Sequence, residues 1–241
     1  MLGDYAIASS GLTVQLARHE VLANNVANGS TTGFLRDTVV VETGATRPGT
    51  GGLPQARVAG VVTQAATGGL RPTGNPLDLA LRGDGYFQVE TPDGPRLSRA
   101  GSFTLDGGGT LRDVSGRALL GEGGPIITAA SRIEVRASGE IVGDGEVIDT
   151  ISLRAVAPGA PIQKTKEGLL WPARGEGDLV NAEATEVVQG YLENSAVNPV
   201  REMVDMIAAF RAYEAGVRSL QALDSVLGQA TERIGRLSVA A

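Results

Sequence analysis

The sequence predicts an α+β protein, mainly β, in which an antiparallel β-rich central domain is flanked by N- and C-terminal helices that pair in a coiled-coil-like bundle. Three observations predict it. Residues 1–29 and 199–237 carry apolar side chains at helical spacing. The stretch between them holds short alternating runs separated by glycine turns. No helix-length segment separates those runs, which argues against βαβ crossovers and for antiparallel pairing. The expected organisation is a helical domain from residues 1–33 and 199–241, extended connectors at 34–74 and 180–198, and a β-rich body at 75–179.

The N-terminal stripe is Tyr5, Ala8, Leu12, Leu16, Ala23 and Val26, with His19 in the same row. It runs into Leu22-Ala23-Asn24-Asn25-Val26-Ala27-Asn28-Gly29-Ser30-Thr31-Thr32-Gly33-Phe34. Asn24 and Asn28 lie four apart on one face, and asparagines buried in a helical seam fix its register. Gly29 or Gly33 is expected to end the helix in a left-handed conformation. The first connector begins with Val39-Val40-Val41 and becomes rich in Gly, Thr and Pro from Thr46 to Pro54. Val58 to Gln64 has strand character, so part of this connector is expected to form a hairpin.

In the body, Leu77–Leu81, Tyr86–Val89, Phe103–Leu105, Ile133–Val135, Glu140–Val142 and Thr150–Leu153 read as strands. Gly83-Asp84-Gly85, Pro92-Asp93-Gly94, Asp106-Gly107, Ser138-Gly139 and Gly143-Asp144-Gly145 read as turns. Short strands at this spacing suit a twisted antiparallel sheet or an irregular barrel. The second connector holds Gly190-Tyr191-Leu192-Glu193-Asn194-Ser195 and is expected to run extended beside the first.

The C-terminal helix has the clearest pattern. Met203, Met206, Phe210, Tyr213, Val217, Leu220 and Leu227 recur at spacings of three and four, a heptad seam interrupted at Asp224. Asn198 is placed to cap, and Pro199 takes the first helical position, where its missing N–H is no loss. Glu202 in the first turn and the Glu214–Arg218 pair favour the helix further. A single helix buries only part of such a stripe. Both termini are therefore expected to be frayed or disordered in an isolated subunit and to become ordered in an assembly; an intramolecular helical hairpin that is already stable is the alternative.

Composition excludes several functions. The chain has 241 residues, 42% hydrophobic and 4% aromatic, with 34 glycines and a formal charge of −6. That charge opposes nucleic-acid binding, which needs a basic face. No apolar run is long enough to insert in a membrane as a helix, and Met1 to Gly11 lacks the basic start of a cleaved signal. There is one histidine and no cysteine, so nucleophilic triads and histidine- or cysteine-rich metal sites have no basis. His19 sits among apolar neighbours and reads as packed. No cofactor loop or small-molecule site is legible: Gly121-Glu122-Gly123-Gly124 is a turn with no following helix. Asp84, Asp93, Asp106 and Asp144 adjoin glycines as turn residues, outside any EF-hand pattern. Glu140 and Asp144 are the only pair considered for glycosidase chemistry, and their strand–turn setting offers no apolar pocket. The expected catalytic, cofactor and metal residues are none.

Several segments, in order along the chain, resemble the bacterial flagellar rod and hook proteins. Ala23-Asn24-Asn25-Val26-Ala27-Asn28 with Thr31-Thr32-Gly33-Phe34 is similar to their N-terminal signature. Thr73–Leu81 followed by Gly83-Asp84-Gly85-Tyr86-Phe87, and then Arg99-Ala100-Gly101-Ser102-Phe103, resemble their central motifs. Gly190–Ser195, Val197-Asn198-Pro199, Glu202-Met203-Val204 and Arg211-Ala212-Tyr213-Glu214 resemble their C-terminal signature. Gly29-Ser30, Leu35 and Arg201 depart from the usual pattern. Chain length and Leu120–Ile126 look most like the proximal rod members, with distal rod subunits next.

The resemblance implies a structural subunit of the basal-body rod with no enzymatic activity and no cofactor. It implies export through the flagellar type III apparatus without a cleaved signal, and assembly with other rod subunits into a periplasm-crossing shaft. The terminal helices would form the axial core and the β body would lie outside it. Leu12, Leu16, Met203, Met206, Phe210, Tyr213, Val217, Leu220 and Leu227 are then the expected assembly contacts, and Asn24, Asn25 and Asn28 would set register. Two other classes stay open at this point: a secreted peptidoglycan-active hydrolase, and an extracellular filament or adhesin subunit.

Overall fold

The structure is a computed structural model that describes residues 2–44, 55–165, 167–182 and 184–239. It is mainly β, with one helix before and one after an antiparallel β-rich region: α1 is Leu2–Ala27 and α2 is Pro199–Val239. The chain divides into two compact units, each discontinuous in sequence.

The helical unit comprises Met1–Val26, Asp37–Val61 and Pro199–Ala241. Besides the helices it holds most of a two-stranded hairpin, Asp37–Thr43 against Ala56–Thr63. The Gly44 amide donates to the Gln55 carbonyl at 2.8 Å to close the ladder, and the Gly/Thr/Pro-rich Thr46–Pro54 stretch lies outside the described residues. The second helix begins at Pro199, whose fixed φ and missing donor suit a first helical position.

The β unit comprises Ala27–Arg36 and Val62–Asn198. Its largest sheet has six strands in the order Ile162–Lys164, Leu170–Pro172, Arg96–Ser98, Tyr86–Val89, Leu153–Val156 and Leu179–Asn181. A three-stranded meander, Ile133–Val135, Glu140–Gly143 and Glu146–Thr150, carries a bulge between Ile141 and Val142. Smaller pairs complete it: Leu70–Pro72 with Tyr191–Glu193, Leu79–Arg82 with Glu186–Gln189, and Phe103–Leu105 with Leu111–Asp113. These ladders are all antiparallel. Inward residues of successive strands (Leu79, Leu81, Phe87, Phe103, Leu111, Leu119, Ile126, Ile141) make one core, with Phe87 and Phe103 edge-on at 5.4 Å. Gly101 is required where two strands meet: a Cβ there would lie 1.6 Å from the Leu79 carbonyl oxygen.

Three sequence readings are corrected here. Leu77–Leu81 is a strand only from Leu79. Asn75 and Pro76 make a turn in which the Asn75 side-chain oxygen accepts from the Leu77 amide at 3.2 Å. Thr150–Leu153 is not one strand: the chain leaves the meander at Thr150 and enters the six-stranded sheet at Leu153. Between them Ser152 donates its amide to the Leu120 carbonyl and its hydroxyl to Gln88. Finally, α1 ends at Ala27, and of the two candidate glycines only Gly33 has a positive φ, +67°. Its role is close packing, because a Cβ there would lie 2.3 Å from the Arg99 carbonyl carbon.

Candidate assembly surface

Within the helical unit α1 and α2 pair antiparallel. Three contacts fix the direction. Asn25 meets Glu202, the His19 ring lies 6.4 Å from the Phe210 ring, and Leu12 packs against Gly216. The inward row of α2 is Glu202, Met206, Ala209, Tyr213, Gly216, Leu220, Leu223 and Leu227, a heptad repeat.

The row that faces α1 within the chain differs by one position, at alternate sites, from the assembly seam read in the sequence. Met206, Tyr213, Leu220 and Leu227 belong to it and are half-buried. Glu202, Ala209 and Gly216 replace Met203, Phe210 and Val217 as its other members. The reason is the spacing between the helices. A Cβ on Gly216 would lie 2.7 Å from Leu12 Cδ2, so any side chain there requires Leu12 to shift. Reading only large apolar residues selects the neighbours of these small ones. Val217 remains half-buried on the flank, whereas Met203 and Phe210 are 46% and 52% exposed. On α1, Leu12 is half-buried, Val14 is buried, and Leu16 is exposed.

The asparagines are also redistributed. The buried one is Asn25, with no exposed surface, while Asn24 is exposed and Asn28 half-buried. Asn28 accepts from the Thr31 hydroxyl at 3.3 Å just past the helix. Asn25 joins three elements. Its amide nitrogen donates to the Asp37 carbonyl (2.9 Å) and to Glu202 Oε2 (3.0 Å), and its oxygen accepts from the Asp37 amide (3.1 Å). The end of α1, the first residue of the hairpin and the first turn of α2 are thus registered by one side chain. Asn25→Ala strips these bonds from a side chain with no exposed surface and is expected to lower stability by at least about 1–3 kcal/mol. Asn24→Ala, at an exposed position, should cost less. Helix unfolding followed by far-UV circular dichroism checks both.

A second row of α2 carries exposed apolar side chains: Val200 (72% exposed), Met203, Val204 (61%), Ile207 (53%) and, at its edge beside His19, Phe210. At 100° per residue its centre lies roughly 120° round the helix from the inward row. Val200, Val204 and Ile207 were missed in the sequence, although their three-and-four spacing with Met203 and Phe210 was there to find.

Glu140 and Asp144 are both engaged in local contacts. Glu140 is bound by Arg136 at 2.7 Å, and Asp144 accepts the Ser131 and Arg132 amides at 3.0 Å each. Asp106 ties its own turn, held to about 2 chiefly by the Arg112 side chain, then by the Thr110 and Gly108 amides. Among the described residues no group of three acidic or histidine side chains is placed to hold a metal ion, and no helix is long and apolar enough to cross a membrane.

The central and C-terminal signatures do meet in the β unit, at a buried ion pair. Arg99 Nη1 donates to Glu193 Oε2 at 3.0 Å, with 2% and 1% of the two side chains exposed. Arg99 Nη2 donates to the Gly83 carbonyl at 2.5 Å, and its guanidinium lies 5.0 Å from the Tyr86 ring. The Gly68 amide donates to Glu193 Oε1 at 3.0 Å. Burial pushes the Glu193 carboxyl up, opposed by Arg99 and the Gly68 amide, and burial likewise raises the Tyr86 hydroxyl.

Comparison with known proteins covers both units. Residues 6–34 match the "Flagella basal body rod protein" family, 80–143 the "Flagellar hook protein FlgE/F/G D1 domain", and 188–233 the "Flagellar basal body rod FlgEFG protein C-terminal" family. The flagellar basal-body rod protein FlgF of Mesorhizobium japonicum is 30% identical over 233 residues, covering 94% of this chain and 97% of the relative. The chain belongs to the flagellar basal-body rod family. FlgF of Rhizobium meliloti is 32% identical, covering 97% and 98%, and the rod protein FlgG of Agrobacterium fabrum is 30% identical, covering 92% and 95%. The rod-family signatures contain the groups described above: Asn25 and Gly33 in the first, Arg99 and Gly101 in the second, Glu193 and Glu202 in the third.

Proposed function

We propose that this rod-family chain is a proximal rod subunit that self-assembles with its neighbours into the helical drive shaft carrying torque from motor to hook. Family membership makes it a structural protein of the flagellar basal body rather than an enzyme. The observation that carries the finer reading is the second apolar row of α2. A helix whose inward row is already used, and which still presents Val200, Met203, Val204, Ile207 and Phe210 outward, is built for more helices than one chain supplies. Neighbouring subunits in a heterologous, open arrangement provide them and generate a tube. The α1–α2 pair then becomes part of an axial coiled-coil-like bundle, with the β unit outside.

The partners are other rod subunits, proximal and distal, and the type III export apparatus. The proximal position follows from the similarity of length and of Leu120–Ile126 to that class, and FlgF-named relatives agree with it. The distal position is the second reading, since FlgG-named relatives are about as similar. Electron microscopy of basal bodies carrying an internally tagged chain tests the assignment. Tag density at the motor end of the rod is expected. Density at the hook end selects the distal position, and absence from the rod overturns the reading.

A further inference from the structure

In the β unit, three segments far apart in sequence are fastened to one another beside the Arg99–Glu193 pair. The Gly33 amide donates to the Glu193 carbonyl at 2.9 Å, and the Ala196 amide to the Phe34 carbonyl at 2.9 Å. Asn194 donates to the Gly69 carbonyl at 3.0 Å, and Gln64 to the Arg36 carbonyl at 2.8 Å. Packing here leaves no slack, because a Cβ on Gly68 would lie 2.0 Å from the Asn194 carbonyl oxygen. These segments adjoin the four points where the chain enters or leaves this unit: before Ala27, after Arg36, before Val62 and after Asn198.

The two residues touch all three. Glu193 belongs to the third segment, its carboxylate receives the Gly68 amide of the second, its backbone carbonyl receives the Gly33 amide of the first, and the Arg99 backbone lies against Gly33. Arg99 itself comes from the body, anchored through the Gly83 carbonyl and covered by Tyr86. A bidentate-capable guanidinium held on both sides gives such a junction geometry as well as attraction.

We propose that Arg99 and Glu193 form a latch that fastens the β unit's three connecting segments to its core, and that opening it frees those segments while the core stays folded. Given the rod function proposed above, the latch makes each connection stiff up to the unit's edge, where torque enters.

The test is amide hydrogen exchange on the purified full-length chain, outside any rod, so that it reports on the latch whether or not the rod assignment holds. In Glu193→Gln the Gly33, Gly68, Asn194 and Ala196 amides are expected to exchange about ten- to a hundredfold faster. The core amides of Phe103, Leu111, Leu119 and Ile126 should accelerate at least about tenfold less than these. Equal acceleration of both sets, or of neither, overturns the latch. The variant Arg99→Met/Glu193→Leu covers the case in which Glu193→Gln does not fold, since it buries no lone charge. Selective exchange in that variant supports the latch. Uniform exchange, unchanged exchange or loss of the folded core overturns it.

Discussion

Phe210→Asp removes the subunit from the basal body and abolishes swimming while the β unit keeps its fold. Phe210 is half exposed, so a carboxylate there remains solvated in the isolated chain, and its only described ring neighbour is His19. The melting transition should therefore move little. In a packed bundle the same carboxylate is buried in an apolar surface without a partner. Anchors of this type cost about 2–4 kcal/mol or more per contact when lost, and the penalty recurs at each subunit interface. Basal-body fractionation should show less than a tenth of the wild-type amount, roughly the effect of 1.4 kcal/mol or more. Phe210→Leu, which keeps the apolar surface, should restore motility. Normal swimming in the aspartate variant would remove the outward row of α2 from the assembly surface.

The second large effect is in stability. Arg99→Ala leaves Glu193 buried with the Gly68 amide and without its cation. Breaking a buried pair from one side costs about 3–5 kcal/mol, because the remaining charge is left buried without its counter-ion. For a unit of this size that corresponds to a fall in melting temperature of roughly 6–20 °C. Replacing both partners by apolar residues should cost much less. Scanning calorimetry on the three proteins checks the order. An Arg99→Ala transition within a few degrees of wild type would mean that solvent reaches the pair.

Much of the architecture is legible in the sequence. Glycine turns and alternating runs mark Tyr86–Val89 and Ile133–Val135 to the residue, and Pro199 marks the start of α2. What is not legible follows from close approach. Gly216 and Ala209 carry no hydrophobic signal, yet they form the helix contact because Leu12 needs the space. The assembly residues divide accordingly: the large side chains read as a seam are partly inward and partly outward. Asn25 and Asn24 are adjacent and chemically identical, so only the rotation of α1 decides which one reaches Asp37 and Glu202. Arg99 and Glu193 each sit in a recognisable motif, but nothing local says that the motifs touch. Their pairing is set by strands that meet only in the folded unit.

The registration of Asn25 by Glu202 spans 177 positions, which has a kinetic corollary. Because synthesis releases the N-terminus first, α1 cannot find its partner until nearly the whole polypeptide is free. Contacts of such long range form slowly, after local hairpins have closed. Folding of the chain is therefore ordered in time: the β hairpins first, the pairing of the terminal helices last.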